Sequence, residues 1–125
     1  MKEFLAKTFL ALLAVLAPVG PMMITALVLI LADLVTGVMA SLKKKKPITS
    51  AGIRRTVSKV FVYELAILMA FLAQTYMTGE TVPVCNIVTG LIGMTEFLSI
   101  LENLNTISGK KLLKAVIDKV GSENK

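Results

Sequence analysis

The feature that most constrains this chain is where its charges are not. Residues 22–42 form a block of 21 residues with one charge, Asp33; residues 60–77 are charged only at Glu64, and residues 84–101 only at Glu96. At about 1.5 Å of rise per residue, a helix over the 21 residues of the first of these covers roughly 30 Å, the thickness of a hydrocarbon core. Inside lipid no water satisfies a backbone amide, so such blocks must close their own hydrogen bonds as helices. The sequence therefore predicts an all-α membrane protein, with helices over 22–42, 60–77 and 84–103 as spans.

A fourth apolar block, residues 4–19, is interrupted by Lys7 and Thr8 and runs into Pro18-Val19-Gly20-Pro21. Proline lacks an amide hydrogen and clashes with the preceding turn, and glycine admits positive φ, so this cluster predicts two helices parted by a tight bend. The block's 16 residues cover roughly 24 Å, at the short end for a span. Three readings stay open: a span with Lys7 snorkelling, a helix lying in the interface, or an uncleaved signal-like segment. Cleavage as a secretory signal is disfavoured, because Pro18 and Pro21 interrupt the small-residue site it needs. The fold class is thus three to four transmembrane helices, four being preferred, with a short amphipathic helix at the C-terminus.

Composition narrows the chemistry. Charged residues make up 18% of the chain, against about 25% in soluble domains, and the mean hydropathy is +0.78. With no His and one Cys, the chain lacks the imidazole and thiolate sets used by most metal sites, Ser-His-Asp triads and Cys-His pairs. No metal, cofactor or catalytic residue is expected. Cys85 reads as a small packing residue, with an intermolecular disulfide as the minor alternative. The seven Met residues read as deformable apolar filler.

Orientation follows from the basic residues. The segment 43–59 holds Lys43, Lys44, Lys45, Lys46, Arg54, Arg55 and Lys59, with no acidic residue, and under the positive-inside rule it sets topology as a cytoplasmic loop. Residues 78–83 contain no Lys or Arg, and the tail is again rich in lysine. The C-terminus is therefore expected inside the cell. In the tail, 109–121, Leu112, Leu113, Val116, Ile117 and Val120 share a helical stripe away from Lys110, Lys111 and Lys114. Such a helix can lie on an anionic membrane surface or pack on its own bundle. The lysine run carries no soluble fold or aromatic reader with it, so nucleic acid is not an expected partner.

The intramembrane acids need compensation, because an ionised carboxylate near a span's centre costs about 2.5 to 3.5 kcal/mol on the insertion scale. Asp33 shares its helix face with Thr36, Gly37, Ala40 and Ser41, and Glu96 shares its own with Ser99 and Asn103. Small and polar stripes in lipid mark helix contacts or wet cavities. They can be satisfied within one bundle, or between copies as an oligomer interface or pore lining. Asp33, Thr36, Gly37, Ser41, Glu96, Ser99 and Asn103 are the candidate contact or lining residues. The two acids can be neutralised by protonation or by basic groups from the loop. Glu64, five residues from Lys59, reads as an interfacial charge.

The run Leu31-Ala32-Asp33-Leu34-Val35-Thr36-Gly37-Val38-Met39-Ala40, a basic loop holding Ser50 and Gly52, and Glu96-Phe97-Leu98-Ser99-Ile100-Leu101-Glu102-Asn103 follow one another in this order. Over roughly residues 25–120 the chain resembles the phage lysis and toxin-secretion holin family. The resemblance implies a small bacterial inner-membrane protein that accumulates and self-associates until it permeabilises the membrane. A cell-wall hydrolase is then released, or a toxin exported, without necessary direct contact with that partner. Membrane lipid and further copies of the chain are the expected partners. The alternatives are a small dimeric four-helix transporter or channel using an intramembrane acid, and a structural membrane subunit. Against the transporter, the first helix carries no acid beyond Glu3 and no Trp or Tyr cage for a cation.

Overall fold

The computed structural model describes residues 1–109 and 112–123. The helices are α1 (Lys2–Leu16), α2 (Gly20–Lys43), α3 (Ser50–Tyr76), α4 (Val84–Ser108) and α5 (Leu112–Glu123). A 3-10 turn at Ala17–Val19 joins the first two. No strand occurs among the described residues.

The proline cluster acts differently from the tight bend its composition predicts. Leu16, Ala17, Val19 and Gly20 all keep right-handed helical dihedrals, so the chain passes from α1 to α2 through one 3-10 turn. Pro18 and Pro21 each sit in the first two positions of the element they enter. There the missing amide deprives no carbonyl of a partner, and proline is tolerated. The continuous stretch Lys2–Lys43 has 42 residues, about 63 Å as a helix, roughly twice a hydrocarbon core.

The basic segment also differs from a loop over 43–59. Thr49 is in extended backbone (φ −105°, ψ 152°), and its Oγ1 accepts a hydrogen bond from Gly52 N at 3.2 Å. That N-cap starts α3 at Ser50 and leaves only residues 44–49 as connector. Arg54, Arg55 and Lys59 are therefore helical. At the other end of α3, Gly79 (φ 58°) and Glu80 (φ 65°) turn the chain in left-handed conformations. Gln74 Oε1 accepts from Cys85 N at 2.9 Å, supplying an acceptor for the first turn of α4.

Helices α2, α3 and α4 form the bundle, α2 packing most extensively on α4. Asp33 meets Asn103, and further along Lys43 Nζ donates to Ile107 O, so α2 and α4 run parallel. Lys59 meets Glu96 while Gln74 meets Cys85, so α3 runs antiparallel to both. Near the start of α2, Val19, Ala26, Ile67 and Ile92 make the apolar core, with Leu16, Met22, Tyr63 and Phe71 packed against it.

The outside of the bundle is apolar. Ile24, Val28, Leu31 and Val35 of α2, Phe61, Val62 and Leu65 of α3, and Ile87, Leu91 and Met94 of α4 are exposed. Three helical stretches are long and apolar enough to cross a membrane: Lys2–Lys43, Ser50–Tyr76 and Val84–Ser108. Every residue of α1 up to Val15 is exposed, and the chain reaches the apolar core at Leu16 and, in the following turn, Val19. After Gly109 turns the chain in the left-handed region (φ 71°), Val116, Ile117 and Val120 of α5 are exposed too. Lys110, Lys111 and Lys125 lie outside the described residues.

A charged cluster inside the helix bundle

Parallel packing of α2 on α4 sets the two sequence stripes face to face. On α2, Asp33 lies ten residues from the helix end at Lys43, about 15 Å in. On α4, Glu96 stands midway between Val84 and Ser108. Antiparallel α3 brings Lys59 to the same depth, nine residues from its start at Ser50.

Lys59 Nζ lies 2.8 Å from Asp33 Oδ2 and 3.2 Å from Glu96 Oε2, so one ammonium pairs with carboxylates from two other helices. Glu96 is 0% exposed, and the Asp33 side chain 12%. The second oxygen of each acid is satisfied as well. Tyr63 OH donates to Glu96 Oε1 at 2.9 Å, and Asn103 Nδ2 donates to Asp33 Oδ1 at 2.9 Å.

Asn103 ties the helices together further. Its amide nitrogen also reaches the backbone carbonyl of Asp33 at 3.2 Å and Thr36 Oγ1 at 3.0 Å. Thr36 can accept because its own hydrogen points back to Ala32 O, 2.7 Å away. A methyl group added at Gly37 would lie 3.5 Å from Asn103 Nδ2, an ordinary van der Waals contact, so Gly37 lies against Asn103 without glycine being required there.

Ser99 adds a side-chain hydrogen bond to Asp33, and Ser41 and Ser99 both line one cavity. It encloses about 360 Å³, and its wall includes Asp33, Thr49, Arg55, Thr56, Lys59 and Asn103. It lies between the ends of α2 and α4 and the start of α3, under the basic connector. Apart from Arg55 in this wall, the other basic residues have separate places. Lys43 caps the carbonyl of Ile107 near the C-terminus of α4, where a cation also complements the helix dipole. Lys44, Lys45 and Lys46 are exposed in the connector, and Arg54 and Arg55 are exposed on α3.

The seven candidate contact residues are thus all on the α2–α4 face or its cavity. Two members of the cluster were not among them. Lys59 reads in sequence as one more topology charge, and Tyr63 carries no charge to draw notice. The signal that finds them is helical spacing: Lys59, Tyr63, Ile67 and Ala70 form one inward stripe on α3, of which Ile67 and Ala70 are fully or nearly buried. Glu102 is exposed. Glu64 is half-buried rather than open to solvent, and its Oε1 is buried with no hydrogen-bond partner among the described residues. Cys85 is buried, as a packing residue would be.

The cluster compensates charge and fixes helix register. Two carboxyl groups face one ammonium in the bundle interior. Among the described residues no group of three or more Cys, Asp or Glu side chains is placed to hold a metal ion.

Long apolar helices with an apolar exterior and a paired charged interior define a helical, multi-pass membrane protein. The chain matches the Bacteriophage holin family over residues 10–122, which is most of its length, and it belongs to that family. In comparisons with curated proteins and with solved structures, nothing matches.

Proposed function

We propose that this holin-type protein accumulates in the bacterial inner membrane, associates with further copies of itself and permeabilises the membrane. The lesion releases a cell-wall hydrolase or lets a toxin leave. Family membership across residues 10–122 carries this reading. The apolar exterior of the α2–α4 bundle supports it physically, since exposed apolar faces of this extent need lipid or further copies against them. The basic connector and lysine-rich tail support a cytoplasmic side for the α2–α3 connection and the C-terminus, under the positive-inside rule.

A single three-helix bundle encloses no wide aqueous path, so the lesion must be lined by several copies. Asp33, Thr36, Gly37, Ser41, Glu96, Ser99 and Asn103 are the polar groups available to line it. In one copy they face each other, so the acids are paired without a second copy. Lining a pore requires α2 and α4 to part and present these stripes to neighbours.

The test is induction of the full chain in bacteria carrying a co-expressed wall hydrolase, with membrane potential and hydrolase escape recorded together. The expected result is a delay, then collapse of the potential and appearance of the hydrolase outside the membrane. Cells that keep their potential and their hydrolase while the protein fills the membrane would overturn the reading. Proton-coupled flux of a small solute through a dimer would replace it with a transporter.

A further inference from the structure

Two acids, one from α2 and one from α4, depend on a single cation from α3. We propose that Lys59 is the lock of the closed bundle: its shared ion pair with Asp33 and Glu96 holds the polar stripes inward and sets how long the chain stays non-permeabilising. This rests on the holin reading for its physiological meaning, though not for its structural content.

Lys59 Nζ is the only ammonium within ion-pair distance of either acid among the described residues, at 2.8 Å and 3.2 Å. Tyr63 and Asn103 satisfy the remaining oxygens but bring no charge. Without Lys59, two carboxylates would face each other inside a bundle whose exterior is lipid. Like charges in low dielectric repel, and the relief open to them is a proton shared between the acids or separation of α2 from α4. That separation is the movement a pore lined by these residues requires. The cavity beside Lys59 gives its side chain a route to the inner surface, lined by Thr49, Thr56 and Ser41, so the lock can be released without unfolding α3.

The test is a double-mutant cycle on the full chain, comparing Lys59→Met in the native background and in one carrying Asp33→Asn with Glu96→Gln. Delay before loss of membrane potential is the first readout, and thermal unfolding of the purified protein in micelles is the second. Lys59→Met alone is expected to shorten the delay by about threefold or more, and not to shorten it once both acids are neutral and Lys59 is the unpaired charge. If Lys59→Met alone fails to accumulate, restored accumulation in the acid-neutral background is the expected rescue. An equal effect of Lys59→Met in both backgrounds, no effect in either, or failure of rescue overturns the lock. Because unfolding is read without any lesion, a chain that never permeabilises would sink the holin reading and still leave the lock decided.

Discussion

The two halves of the α2–α4 bundle are held by different physics. Near the start of α2, Val19, Ala26, Ile67 and Ile92 interlock as apolar side chains. Ten or so residues deeper, Asp33, Lys59, Tyr63, Glu96 and Asn103 bond through charges and directed hydrogen bonds. In water the apolar half would be driven together by burial, but lipid is as apolar as those side chains and only close packing favours contact. The apolar half is therefore adaptable and can exchange partners with lipid or another copy. The charged half has one arrangement that satisfies all its members, so it specifies register and resists separation until its charge balance changes.

That contrast can be broken most forcefully at Lys59. Lys59→Met strands two carboxylates and should lower the stability of the bundle in micelles by about 3 to 5 kcal/mol, measured by reversible denaturant unfolding followed by circular dichroism. The matching lesion in the apolar half is smaller. Ile67→Ala opens a void at a fully buried site, and a loss of about 2 kcal/mol is expected in the same assay, at the low end for such changes.

A finer cut separates charge from hydrogen bonding within the polar half. Asn103→Ala removes the amide from Asp33 and Thr36 and leaves the ion pairs in place, so it should cost about 1 kcal/mol. A cost equal to that of Lys59→Met would show that the amide, not the ammonium, organises the cluster. The smallest effect is expected outside the bundle. Removing residues 2–15, none of which is buried, should change the unfolding free energy by less than about 0.5 kcal/mol. A larger loss would mean that α1 packs on the bundle.

Much of this arrangement was legible in the sequence. Apolar blocks with a single charge each marked α2, α3 and α4, and the stripes Asp33–Thr36–Gly37 and Glu96–Ser99–Asn103 marked the faces that meet. Less legible was the use of the basic segment. Its charges all obey the same topology rule, so nothing in composition separates Lys59, which pairs with the buried acids, from Arg54, which is exposed, or Arg55, which is exposed at the cavity wall. The difference lies in phase: Thr49 caps α3 early, and the resulting helix carries Lys59 onto the face of Tyr63 and Ile67. The proline cluster misled for a related reason. Proline breaks helices in their interior, but Pro18 and Pro21 each fall in a first turn, and composition alone does not show that placement.

One copy of the chain compensates its own buried acids through Lys59, and solid-state NMR dipolar recoupling in lipid bilayers before permeabilisation can read this between ¹⁵N at Lys59 Nζ and ¹³C at the carboxyl carbons of Asp33 and Glu96. Labelled chains are diluted into an excess of unlabelled ones. Strong coupling to both carboxylates, matching Nζ–O separations of 2.8 and 3.2 Å and unchanged on dilution, is the predicted result. Coupling that is absent, or that fades as unlabelled copies are added, would contradict it.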